Sequence, residues 1–319
     1  MRATRKQIAW AWILFAVVFA ALLITATFTD LQVSQILTKG TLPDGSYLAK
    51  GIFGVTLECL GCTAPYLIGG IALELFFIYI LRFAKSKGVK IILGIVLQIA
   101  DFATWYAVAF DTLNYNVRHY GLEGGKPMFM KAELIFVAAL LVFLTALAAN
   151  SFSDESIKRV PDLCYATALA IALSSIVVTL LKEPFGRPRF RAMNYAGDFS
   201  YYSRWYVINH QPDKEWMKEF FSSTDACKSF PSGHTQSAAM IFCIVMLKDM
   251  FAWTSKKKNA LLWIVSIVWT GAVALSRIMV GAHFFSDVLV GGTIGFLSVM
   301  LAREILVYKG YNCKTLFKS

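Results

Sequence analysis

Eight stretches of this 319-residue chain are long and apolar enough to cross a bilayer: 7–28, 63–83, 89–110, 132–149, 163–181, 235–251, 260–279 and 285–307. A spanning helix needs about 20 mostly apolar residues. The composition agrees, with 57% hydrophobic and 16% charged residues, where a soluble domain carries about 25% charged. The expected fold class is therefore all-α, a polytopic membrane helix bundle of about eight transmembrane helices. The first stretch follows Arg2, Arg5 and Lys6 and has the look of a signal peptide. Its apolar run of about 21 residues is too long for an h-region, and no clean cleavage site follows, so a retained helix is expected.

The net charge of +11 raises nucleic acid as a partner, but the basic residues sit in short loops rather than in one arm. Membrane orientation accounts for them better. With the N-terminus inside, Arg82, Lys85, Lys87 and Lys90 fall inside, as do Lys158, Arg159 and Lys256, Lys257 and Lys258. The long segments 29–62, 111–131 and 182–234 fall outside. Eight spans return the C-terminus, with Lys309, Lys314 and Lys318, to the inside. No N-x-S/T sequon occurs, which leans towards a bacterial cell membrane.

Some features carry less. Cys59 and Cys62 form a C-x-x-C with no second pair, a weak zinc signal, and the six cysteines imply no disulfide framework. Glu74 and Asp101 lie within spans, where a carboxylate is a functional candidate by default. The blander reading is that they bond to polar groups on neighbouring helices.

Three clusters at the outer ends of the predicted spans carry chemistry. The first is K-E-P-F-G-R-P-R-F, Lys182 to Phe190; the second is P-S-G-H, Pro231 to His234. The third begins at Ser276-Arg277, continues through five residues to His283, and ends three residues later at Asp287. Lys182, Arg187, Arg189 and Arg277 concentrate positive charge, and the arginine fork grips two phosphate oxygens at once. Ser232 and Gly233 precede a helix, whose N–H groups form an anion site. His283 and Asp287, four apart, share one helical face. The carboxylate can hold one ring nitrogen while the other attacks phosphorus. His234 can protonate a leaving oxygen.

The three clusters resemble the signature motifs of the type 2 phosphatidic acid phosphatase family. That family has Lys, six residues, Arg-Pro; then P-S-G-H; then Ser-Arg, five residues, His, three residues, Asp. The second and third match fully. In the first, Phe190 stands where the family has Pro, which leaves Arg187 an alternative to Arg189 as the main clamp, although spacing favours Arg189. The resemblance covers about 163–307. It implies His283 as nucleophile forming a phosphohistidine, Asp287 orienting it and His234 as general acid. It further implies that Lys182, Arg189, Ser232, Gly233 and Arg277 bind phosphoryl oxygens. No metal and no cofactor are implied, because cationic side chains neutralise the charge.

Members usually have six spans. On that basis residues 1–110 hold about two extra helices, to which no function is assigned, and 111–319 form the phosphatase core. The expected activity is hydrolysis of a lipid phosphomonoester or pyrophosphate: phosphatidate, phosphatidylglycerophosphate or a polyprenyl pyrophosphate. Alternatives are a phosphatase of a soluble phosphoester, as in the related glucose-6-phosphatases, a lipid phosphotransferase using the same site, or a non-catalytic transporter or partner protein. The partner implied is a membrane lipid substrate, with no nucleic acid. The loop 190–230 is aromatic, with Tyr195, Phe199, Tyr201, Tyr202, Trp205, Tyr206, Trp216, Phe220 and Phe221. It reads either as an interfacial cap or as a lid over the site.

Overall fold

Long apolar runs with proline confined to their first or last turns form long helices, and the computed structural model bears this out. It describes residues 5–38, 52–120, 128–209, 224–250 and 255–308. The helices are α1 (Arg5–Leu37), α2 (Ile52–Gly61), α3 (Ala64–Phe83), α4 (Lys87–Tyr120), α5 (Met128–Asn150), the single turn α6 (Asp154–Ile157) and α7 (Val160–Phe185). After α8 (Phe190–Ala196) come α9 (Gly233–Ala239), α10 (Lys256–Met279) and α11 (Phe285–Ala302). No strand occurs among the described residues. The chain is an all-α, multi-pass membrane bundle.

Seven helical segments are long and apolar enough to cross a membrane. The eighth expected span, 235–251, corresponds to a shorter apolar helix, Gly233–Met246. It starts as α9, tightens into a 3₁₀ stretch over Met240–Met246 and ends in one α-helical turn, Leu247–Met250. A 3₁₀ turn rises about 2.0 Å per residue against about 1.5 Å for an α-helix, so it carries the chain farther per residue. The outer faces of the long helices are apolar, with Trp10, Leu14, Ile92, Phe136 and Val268 all exposed. Such a surface suits lipid as solvent.

The basic loops gather at one end. Arg82, closing α3, donates to the carbonyls of Phe152 and Asn150 and to Asp154 Oδ1, each at 2.8–2.9 Å. The turns after α3 and α5 therefore meet. Lys158 and Arg159 lead into α7 and Lys256 opens α10, so both of these helices run from this end to their motif residues, Lys182 and Arg277. Between α3 and α4, Gln98 donates to Glu74 Oε2 at 2.7 Å, and Glu74 and Asp101 are fully buried. The bland reading of Glu74 holds: its partner lies on the neighbouring helix.

The contact that assembles the motif end is between α9 and α11. A Cβ at Gly291 would collide with the carbonyl oxygen of Ser232, and one at Gly295 would come within 2.7 Å of Ala239 Cβ and Gln236 O. Small residues four apart let two helices approach closely without a hydrophobic driving force between them. The spacing G-x-x-x-G thus sets the depth at which the P-S-G-H turn docks on α11.

Candidate active site

Lys182 lies in the last turn of α7, which Gly186 terminates in a left-handed conformation (φ 46°), its N–H donating to Lys182 O. Glycine takes that conformation without a Cβ penalty. The chain turns back at once, so Arg187 and Arg189 fold beside Lys182 before α8 begins. Arg189 is tied to the turn before the second motif: its backbone N–H donates to Ala226 O at 2.8 Å. Its Nε and Nη2 donate to Asp225 O and Asp225 Oδ1, both at 2.8 Å.

The two candidate clamps separate cleanly. Arg187 is 1% exposed and its guanidinium is committed to protein. Nε donates to Ser203 O at 2.9 Å, Nη1 to Ser286 Oγ at 2.8 Å and Asp287 Oδ1 at 2.5 Å, and Nη2 to Asp30 Oδ2 at 2.9 Å. Phe284 lies over it, 4.2 Å from the ring centroid. A fully paired buried arginine is a structural hub: losing one partner of such a pair costs about 3–5 kcal/mol. Arg187 therefore has no fork left for a phosphate, whereas the bonds from Arg189 to Asp225 use only its Nε and Nη2.

The third motif differs from expectation in one bond. Asp287 was expected to hold a ring nitrogen of His283, but its Oδ2 stands 3.9 Å from Nδ1. Nδ1 instead bonds to the carbonyl oxygen of Ser229 at 2.6 Å. A carbonyl can only accept, so Nδ1 carries the proton and Nε2 carries the lone pair. Asp287 sits in the first turn of α11, where its carboxylate turns back to accept from Phe284 N–H at 2.8 Å. Ser229 Oγ donates to the same oxygen at 2.5 Å, while Arg187 holds the other. Asp287 thus reaches His283 through Ser229 rather than directly.

Ser232 caps α9, its Oγ accepting from Thr235 N–H at 3.3 Å, and its own N–H donates to Asp287 O at 3.0 Å. The second and third motifs are joined by that backbone bond. Gly233 lies against Lys182, with Nζ 3.6 Å from where a Cβ would stand. Arg277, fully buried, pairs through Nη1 with Glu58 Oε1 at 2.9 Å and donates from Nη2 to Gly54 O at 3.2 Å. Burial first, and then the charges of Arg189, Lys182, His234 and Arg277, hold the His283 imidazole well below the usual histidine range, neutral at pH 7. A neutral imidazole with a free Nε2 lone pair among three cationic groups can attack a phosphoryl group and hold its oxygens.

Four residues here were not anticipated: Ser229, Asp225, Asp30 and Glu58. Ser229 and Asp225 lie inside the loop before P-S-G-H, but no spacing rule marks them. Asp30, on α1, accepts from Ser286 N–H at 2.8 Å, from Ser286 Oγ and from Arg187. Glu58 is on α2. Both belong to the N-terminal helices, to which no function is assigned from the sequence. The aromatic loop packs rather than opens: Phe190, Phe199, Tyr202 and Phe284 cluster, and Trp205 Nε1 donates to Thr27 Oγ1 on α1 at 2.8 Å. Trp216, Phe220 and Phe221 lie outside the described residues. Cys59, Cys62, Cys164, Cys227 and Cys243 are free thiols.

Residues 163–311 match the family model described as the PAP2 superfamily. Phosphatidylglycerophosphatase B of Bacillus subtilis is 35% identical over 77 residues, 24% of this chain and 37% of that protein. The lipid A 1-phosphatase of Rhizobium etli is 30% identical over 149 residues, 46% of this chain and 50% of that protein. The lipid A 4′-phosphatase of Francisella tularensis subsp. novicida is 26% identical over 233 residues, 69% of this chain and 96% of that protein. The chain thus spans half or less of the first two relatives and nearly all of the third. No solved structure matches it.

Proposed function

We propose that this chain, whose residues 163–311 match the PAP2 superfamily model, is a membrane phosphatase that cleaves a lipid phosphomonoester or pyrophosphate by way of a phosphohistidine. The observation that carries this reading is the bond from His283 Nδ1–H to Ser229 O, which leaves Nε2 as the nucleophile. Nε2 attacks phosphorus while Lys182, Arg189, Arg277 and the Ser232–Gly233 turn neutralise the equatorial oxygens. His234 gives its proton to the departing oxygen. Water then attacks the phosphohistidine as His234 takes a proton back, and phosphate leaves with His283 regenerated. Three protein cations, Lys182, Arg189 and Arg277, do the neutralising, so the chemistry as read needs no metal.

The apolar exterior and the relatives named as lipid phosphatases support a lipid substrate. The end of the bundle opposite the basic loops carries the motifs, and basic loops remain in the cytoplasm. That supports an extracytoplasmic site with both termini cytoplasmic. The test is phosphate release from dioctanoyl phosphatidate added to sealed, right-side-out vesicles containing EDTA. Turnover without permeabilisation, blocked by vanadate, is the expected result. Activity that appears only after permeabilisation would reverse the orientation, and activity lost to EDTA and restored by magnesium would refute the metal-free mechanism.

A further inference from the structure

Both arginines that the mechanism assigns to phosphate stand against a carboxylate that lies outside the three motifs. Arg189 Nη2 donates to Asp225 Oδ1 at 2.8 Å, in the short 3₁₀ turn Thr224–Cys227. Arg277 Nη1 stands 2.9 Å from Glu58 Oε1 on α2. The settings differ. Glu58 is 8% exposed beside a fully buried Arg277, whereas Asp225 is 56% exposed. Asp225 also faces Arg191 Nη2 at 3.9 Å, so its charge is shared.

Neither carboxylate uses up its arginine. Arg189 reaches Asp225 through Nε and Nη2, which leaves Nη1 outside those bonds. Nη1 of Arg277 is buried and makes no aligned hydrogen bond among the described residues, although Glu58 Oε1 stands beside it. Each arginine therefore has its charge offset while keeping N–H groups for phosphoryl oxygens. The cations Lys182, Arg189 and Arg277 are opposed by Asp225 and Glu58, so the cluster is only weakly cationic. That balance bears on the product. Inorganic phosphate is itself an anion, and unopposed cations in a buried site would grip it as they grip the phosphoryl group in transfer. Affinity shared by ground state and transition state adds nothing to kcat, and a tightly held product slows turnover.

We propose that Asp225 and Glu58 are resident counter-ions of the phosphate site, which weaken its hold on free phosphate and so speed product release. An entering phosphate shares the two arginines with carboxylates that are already there, and the carboxylates repel it. The donors that orient the phosphoryl group stay in place, so the cost falls on affinity rather than on geometry. The inference rests on the assignment of Lys182, Arg189 and Arg277 to the phosphoryl oxygens. It adds to that site two residues, one of them on an N-terminal helix.

The experiment measures the inhibition constant of inorganic phosphate against hydrolysis of dioctanoyl phosphatidate in wild type, Glu58→Gln and Asp225→Asn. An inhibition constant does not depend on how much of a variant is folded. Removing a buried unit charge a few ångströms from a bound anion should lower the constant about tenfold in Glu58→Gln. In Asp225→Asn, where solvent screens the charge, the fall should be about threefold. The KM for phosphatidate should move the same way in both. A carboxylate that merely positions its arginine gives the opposite sign, because a misplaced clamp binds phosphate less well. An inhibition constant that rises, or that matches wild type, in either folded variant would overturn the proposal. Should Glu58→Gln fail to fold, Asp225→Asn carries the test, since its side chain lies at the surface. Failure of the wild-type protein to release phosphate from phosphatidate at all would instead sink the phosphatase reading.

Discussion

His283 and His234 carry the same side chain in two different settings, and on the proposed mechanism the settings divide their roles. The Ser229 carbonyl fixes the tautomer of His283, whereas His234 stands in the first turn of α9. A leaving group that departs well needs little protonation. His234→Ala should therefore slow hydrolysis of a dodecyl phosphate by about 10²–10⁴-fold and a nitrophenyl phosphate far less, as steady-state kinetics on the two substrates will show. If His283→Ala is the variant rescued by the better leaving group, the two roles are reversed. The pH dependence has a definite sign. Burial and the cations around it depress the pKa of His283, so the imidazole stays neutral as pH falls through about 6.5 and takes its proton only below. Nitrogen NMR of the ring checks this, and titration at or above 6.5 would contradict it. By linkage, an unfolded chain protonates this histidine first, so stability falls as pH drops below about 6.5. Spacing marked Lys182, Arg189, Arg277 and both histidines as candidates because each is a chemical group that the proposed phosphoryl transfer would use. The Ser229 carbonyl was not legible, because a backbone acceptor leaves no mark on sequence.

At the scale of elements, the site depends on how closely two helices approach. Isolated helix propensity favours alanine over glycine by about 1 kcal/mol, so Gly291→Ala would stabilise α11 alone. The packing decides otherwise, since the new Cβ meets the Ser232 carbonyl and must push the P-S-G-H turn off α11. Displacement of catalytic groups by about 1 Å can cost 10²-fold, and kcat for Gly291→Ala should fall by about that factor while the protein remains membrane-inserted. Wild-type kcat in this variant would show that α9 and α11 relax apart without moving the site. The G-x-x-x-G spacing from Gly291 to Gly295 was available to a reader of the sequence. So were the spans, seven of which fall within helical segments long and apolar enough to cross a membrane, because hydropathy sums over many residues. The sixth differs in that its middle tightens into a 3₁₀ stretch, and no composition rule marks that change.

For the whole molecule, the N-terminal helices are the part the sequence left without a role. Asp30 reaches from α1 to Arg187 and Ser286, and Glu58 from α2 to Arg277. These buried pairs join residues 157 and more than 200 positions apart, so no local pattern could have revealed them. They make the bundle, rather than the matched half alone, the unit that holds the cations in place. The central claim remains that a phosphoryl group passes through His283. Its most direct measurement is to quench turnover of a labelled lipid phosphate in alkali, which preserves phosphohistidine, and to locate the label by mass spectrometry. The account predicts phosphate on the His283 ring in wild type and none in His283→Ala. Label on His234 or on a hydroxyl, or undiminished label in His283→Ala, would contradict it.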